Sequence, residues 1–251
     1  MSWAQKRRAV YIFIVIIILI LLGIWIYNKY FYFPPTCFDN KQNQDEQGID
    51  CGGVCTILCN GQYAPLNVLW SRFSMVNDGV YNVLAYIVNS NLQAGANNVQ
   101  YVFKLYDQNG FLLTERFGKT FIPPNKVLAV FEPDLLTGKY APARVDFTFI
   151  TNPVWLKQDS QEANISINET NLTQVETAPR LSATLTNKTV NLIKNIEAVG
   201  IVYDVNGNTL NFSRTIIDNL GDKVKKSIYF NWPKPFALPA ARTEIILRVL
   251  N

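Results

Sequence analysis

From Ala9 to Asn28 the chain reads AVYIFIVIIILILLGIWIYN, twenty positions without a charge. At about 1.5 Å per helical residue this run covers roughly 30 Å, the thickness of a bilayer's hydrocarbon core. After Tyr63 the pattern is different. Short stretches rich in Val, Tyr, Phe and Thr are broken by Gly, Pro, Asn and Asp, the texture of strands and turns. In Tyr101-Val102-Phe103-Lys104-Leu105-Tyr106, positions 101, 103 and 105 share one face, the period-two signature of a strand. The spacing predicts strands at 66–76, 81–89, 99–106, 112–122, 127–131 and 144–150. A second set is predicted at 165–175, 181–186, 196–203, 209–217, 223–230 and 244–250. Asp78-Gly79 marks a turn, and Asn109-Gly110 is a favoured hairpin dipeptide.

The two sets echo one another. Tyr106-Asp107-Gln108-Asn109-Gly110 recurs as Tyr203-Asp204-Val205-Asn206-Gly207, and Asn98-Val99 as Asn195-Ile196, both 97 positions on. Ala143-Arg144-Val145-Asp146 is echoed by Ala241-Arg242-Thr243-Glu244. Such a period is too long for a solenoid unit and fits one β-sandwich. Asn152-Pro153 and the polar residues that follow Leu156 read as the linker between the copies. Trp70, Trp155 and Trp232 read as packing residues rather than sugar platforms.

Charge orients the apolar run. Lys6, Arg7 and Arg8 precede it and only Lys29 follows closely, so residues 1–8 are expected in the cytoplasm and the remainder outside. Trp25, Tyr27, Tyr30 and Tyr32 suit a headgroup boundary, and no small-residue cleavage site follows, so the span at 9–28 reads as an uncleaved anchor. Pro34-Pro35 then forms a stiff spacer. The net charge of +4 is spread without a basic run, which argues against a nucleic-acid partner. Histidine is absent, which removes the commonest general base and metal ligand and every Ser-His or Cys-His arrangement. No G-x-S-x-G, S-x-x-K, Gly-rich phosphate loop or paired acid motif occurs. The expectation is a chain with no catalytic or cofactor-binding residues.

All four cysteines, Cys37, Cys51, Cys55 and Cys59, fall in residues 29–63. On the exported side an even count reads as two disulfides, with three pairings open. Zinc is disfavoured because the spacing lacks C-x₂-C knuckles. Asp39, Asn43, Asp45, Glu46 and Asp50 offer hard oxygen ligands at a density that suits calcium, without an EF-hand frame; a polar loop held by its bridges is the plainer reading. Asn164, Asn168, Asn171, Asn187 and Asn211 each open an Asn-x-Ser/Thr sequon, a glycan acceptor in a eukaryotic secretory route.

The residues from Cys37 to Cys59 resemble short Cys-rich modules of secreted and cell-surface proteins, through Cys37, Asp39, Asn43, Glu46, Asp50, Cys51, Gly52, Gly53 and Cys55. Asn40 stands where that pattern carries Gly. Phe103-Lys104-Leu105-Tyr106-Asp107 is the signature of FxLYD domains, and Val88-Asn89-Ser90 is similar to that family's V-x-N strand end. The second copy departs from it, with Gly200 for the Phe and Val202 for the Leu. The resemblance implies an all-β chain of tandem immunoglobulin-like antiparallel β-sandwiches, at 64–152 and 164–251, joined by a linker at 153–163 and following one N-terminal transmembrane α-helix. It also implies a prokaryotic envelope protein, in which the sequons are polar edge-strand positions. The expected role is a single-pass, exported, non-catalytic binding or scaffold protein with an envelope protein partner. The alternatives are an accessory subunit of a secretion, pilus or wall-synthesis complex, or an anchored enzyme working with carboxylates alone.

Overall fold

The structure, a computed structural model, describes residues 3–31, 35–159 and 164–250. Tyr32, Pro34 and the end of the expected linker, 160–163, lie outside the described residues. The chain divides into two compact units, 1–55 and 56–251.

The first unit begins with α1 (Trp3–Tyr30), 28 residues of helix with no buried side chain. Its apolar window has a mean hydropathy of 3.2, and it is the one helix among the described residues long and apolar enough to cross a membrane. Residues 35–55 then turn on themselves. Cys37 and Cys55 are bridged, their Cα atoms 5.7 Å apart. Cys51 and Cys59 are also disulfide-bonded and no cysteine is free. Of the three pairings that sequence left open, the structure adopts the one that joins the first cysteine to the third.

The second unit contains two sandwiches. The first comprises β1 (Asn67–Asn77), β2 (Val80–Asn89), β3 (Ala94–Tyr106), β4 (Leu112–Ile122), β5 (Lys126–Leu136), β6 (Arg144–Phe149) and the short β7 (Trp155–Lys157). One sheet has the order β1-β2-β5; the other is β4-β3-β6, with β7 also pairing β3. The second sandwich comprises β8 (Ile165–Thr173), β9 (Arg180–Asn187), β10 (Ile193–Tyr203), β11 (Thr209–Leu220), β12 (Lys225–Asn231) and β13 (Arg242–Val249). Its sheets are β8-β9-β12 and β11-β10-β13, so the strand order of the first sandwich is repeated. Every strand pair is antiparallel. Three strands on one sheet and three on the other, with the chain crossing between layers after the second, fourth and fifth strands, is the arrangement of an immunoglobulin-like sandwich, and β7 adds a further strand to the first.

Twelve of the strands lie where alternation predicts them, with ends displaced by up to five residues. The thirteenth, β7, falls within the expected linker. Its three residues follow Asn152-Pro153 and precede a polar run, so they carry no period of their own. What orders them is Trp155, 4% exposed in the first core. Residues 56–58 join β7: Ile57 bridges Leu156, the Leu58 N–H donates to the Trp155 carbonyl and the Lys157 N–H to that of Thr56. Tyr63 stacks on Trp155 with ring centroids 5.1 Å apart. The expected 29–63 module thus gives its last eight residues to the sandwich unit.

Each sandwich has its own core. Val83, Ala85 and Ile87 of β2 meet Phe103 and Leu105 of β3 and Val130 of β5 in the first. Leu181, Ala183 and Leu185 of β9 meet Ala198 and Val202 of β10 and Ile228 of β12 in the second. The volumes are traded between strands at one level. Phe103 fills the first core, whereas its counterpart Gly200 leaves room for Phe230, whose ring would lie 2.9 Å from an added Cβ. A third apolar cluster joins the sandwiches. Leu84, Ala129 and Phe131, on the outer face of β2 and β5, pack against Val199, Ile201, Phe212 and Ile246 on the outer face of β10, β11 and β13. The Phe131 and Phe212 rings meet edge-on at 6.0 Å. Strands buried on both faces have apolar residues at successive positions, which explains Val83-Leu84-Ala85 and Ala198-Val199.

Candidate functional site

The junction between the sandwiches carries a set of polar contacts centred on two acids. Glu197 of β10 is 4% exposed and held by two guanidinium groups. Arg248 donates to Glu197 Oε2 through Nε at 2.9 Å and also through Nη2, and Arg214 reaches Oε1 at 3.4 Å. Arg248 extends to the first sandwich, donating to Thr120 Oγ1 at 2.5 Å, and its guanidinium lies over the Phe121 ring. Arg214 lies over Phe131. A few residues along β13, the Glu244 carboxylate accepts from Tyr86 of the first sandwich at 2.9 Å and from Tyr203 of the second at 2.8 Å. Burial, and then the hydrogen bond to Glu244, push the Tyr86 hydroxyl up to about 12. The same two causes raise Tyr203. Burial and a bond to Glu132 raise Tyr101. Glu197 and Glu244 are thus held by guanidinium and phenol donors that reach across both sandwiches, and Glu132 by donors within the first.

The signature turns are built for shape. Asp107 Oδ1 accepts from the N–H groups of Asn109 and Phe111, and Asp204 Oδ1 from those of Asn206 and Asn208. Asn208, through its side-chain amide and its backbone N–H, holds the Asp204 carboxyl below the usual range. Gly110 and Gly207 close the turns at φ 83° and 80°. Tyr106 and Tyr203 each lie beneath an arginine, Arg144 and Arg242, at 4.5 and 4.0 Å. Asn89 and Asn187 form a further matched pair. Asn89 is 2% exposed, donates to the carbonyls of Ala94 and Pro123 and accepts from the Asn91 N–H. Asn187 is fully buried, donates to those of Asn191 and Leu220 and accepts from the Thr189 N–H. The signal was present in Val88-Asn89 and Thr186-Asn187, but the residues around them differ.

In the Cys-rich loop the acids serve the backbone. Asp50 accepts from the Asp39 and Asn40 N–H groups, Asp39 from Thr36 and Lys41, and Glu46 from Asn43 and Asp50. The Asn43 side chain donates to Asp39 at 2.8 Å, the main reason the Asp39 carboxyl is held below its usual range. Asp45 is exposed; its carbonyl lies where a Cβ on Gly53 would fall, so only glycine fits there. Among the described residues no three carboxylates converge. The one metal-like grouping is Cys37, Glu46 and Cys55, and its two sulfurs are bonded to each other. Asp39, Glu46 and Asp50 thus cap backbone turns, and Asn43 braces Asp39.

Two open grooves lie on the second sandwich. One, of about 570 Å³, is lined by Leu172, Val175 and Glu176 and by residues 235–243. The other, of about 420 Å³, crosses the outer face of β8, β9 and β12 over Ser182, Thr184, Ser227 and Tyr229. Neither gathers a set of titratable side chains.

No protein-family model matches the chain, and no curated protein matches it. Among solved structures, red sea bream transglutaminase is similar at 10% identity, with a TM-score of 0.24 over 74% of this chain and 31% of that one.

Proposed function

We propose that the chain is a single-pass, membrane-anchored, non-catalytic binding or scaffold protein of the cell envelope, with its β-sandwiches outside and its N-terminus in the cytoplasm. The observation that carries this reading is the order of parts: three cations, one apolar helix, then a loop whose cysteines are oxidised. Disulfides persist in oxidising compartments, and cations flank the cytoplasmic end of a span. The two sandwiches are copies of one FxLYD-type domain. Matched strand order, matched Asn89 and Asn187, and matched Asp107 and Asp204 turns support the duplication. The buried acids have arginine or tyrosine partners, which favours a structural over a chemical role. A protein partner in the envelope follows, either free-standing or within a secretion, pilus or wall-synthesis assembly.

Protease added outside spheroplasts tests this. Residues beyond about 36 are expected to be digested while a short helical fragment is retained; protection of the sandwiches in intact spheroplasts would overturn the topology.

A further inference from the structure

The five sequons differ sharply in what surrounds them. Asn187 is fully buried and its amide nitrogen is committed to two carbonyls, so it has no access to an enzyme. Asn211 is half-buried on β11, opposite the buried Val202. Asn164, Asn168 and Asn171 are all exposed and lie within eight residues, the first immediately before β8 and the others on it. β8 is an edge strand paired only with β9, and its register breaks between Asn168 and Asn171, where Glu169 adopts φ 53°. The amide nitrogen of Asn168 donates to the neighbouring half-buried Ser166 hydroxyl, at 3.2 Å.

An exposed edge is a template for unwanted strand pairing, and proteins usually blunt it with charge, proline or cover. β8 carries one charge, Glu169, and no proline. What it carries instead is three acceptor triplets: Asn164-Ile165-Ser166, Asn168-Glu169-Thr170 and Asn171-Leu172-Thr173. We propose that this edge is covered by N-linked glycans on Asn164, Asn168 and Asn171, and that Asn187 is never modified. The inference rests on the exported topology above. In the transfer, the side-chain amide nitrogen bonds to the anomeric carbon of a sugar carried on a lipid diphosphate. The carbon–oxygen bond to the diphosphate breaks, the lipid diphosphate leaves with the electron pair, and the amide loses one proton.

Trypsin separates the cases cleanly. Cleavage after Lys157 and Arg180 releases 158–180 with the three exposed sequons and no other, and 181–188 with Asn187. Full-length protein purified from its native membrane, with free thiols alkylated before reduction, is digested and its peptides weighed. The expected result is hexose or hexosamine increments on 158–180, an unmodified 181–188 and unalkylated cysteines. The triple variant Asn164→Gln, Asn168→Gln, Asn171→Gln is expected to lose the increments and run faster on a gel. A bare 158–180 peptide with oxidised cysteines would overturn the glycan proposal and leave export standing. Alkylated cysteines would overturn export itself. Sugar on 181–188 would overturn the burial argument.

Discussion

The two sandwiches share a strand order but present opposite outer faces. On β2 and β5 of the first, the outward positions are Leu84, Tyr86, Ala129 and Phe131. At the same registers on β9 and β12 of the second stand Ser182, Thr184, Ser227 and Tyr229. The other sheet reverses the contrast. Val199, Ile201, Phe212 and Ile246 of the second sandwich correspond to Val102, Lys104, Glu115 and Thr148 of the first, where Lys104 pairs with Glu115 across the strands. One apolar face meets one apolar face, and the outward ends carry most of the polar positions.

The largest test of this contrast removes its charged clamp. Glu197→Ala strands Arg248, whose side chain is 13% exposed, and is expected to cost about 4 kcal/mol. Calorimetry on the purified protein should then resolve two transitions where the parent shows one; a single unshifted transition would refute the clamp. Next come the matched asparagines. Asn89→Ala and Asn187→Ala each abandon buried carbonyls and should cost about 2 kcal/mol, equally in the two sandwiches; unequal losses would show that the sites are not equivalent. Gly200→Ala pushes against the Phe230 ring and should cost about 1–2 kcal/mol, with much of it recovered by adding Phe230→Leu. Chemical denaturation of the double-mutant cycle measures that coupling, and additive losses would deny the traded volume. Ser182→Leu with Thr184→Tyr copies the apolar face onto the polar one and should raise self-association in sedimentation velocity, whereas unchanged behaviour would mean that complementarity needs more than apolarity.

The smallest effect is in alkali. Tyr86 titrates near 12 in the fold against about 10 in the unfolded chain. Its neutral form is favoured by folding, so that stabilisation is complete below pH 10 and lost as pH rises from 10 to 12. Tyr86→Phe should flatten the fall in melting temperature across that window, and an unchanged slope would place the loss elsewhere.

Much of this architecture is legible in the sequence, because a half-buried strand alternates and the repeated Tyr-Asp-x-Asn-Gly turn must recur wherever the same hairpin does. Asn98 and Asn195 even share left-handed backbone, at φ 54° and 50°. What escaped was non-local. β7 exists because Trp155 finds the first core and residues 56–58 find β7, and neither event has a local period. The contact face was hidden for a related reason: Leu84 and Val199 lie in uninterrupted apolar runs, which do not say which residues serve a core and which a neighbouring domain. The disulfide pairing depended on loop geometry, and the capping roles of Asp39, Glu46 and Asp50 depended on it too.

The apolar face of the first sandwich also has a history in time. Ribosomes add roughly 5–20 residues per second, and domains fold as units from the N-terminal side. Phe131 is therefore made several seconds or more before Ile246, its partner across the junction. Through that interval the growing chain displays Leu84, Ala129 and Phe131 uncovered. The stage most exposed to misassociation is thus biogenesis, and a holdase binding between completion of β5 and completion of β13 would have its largest effect on yield.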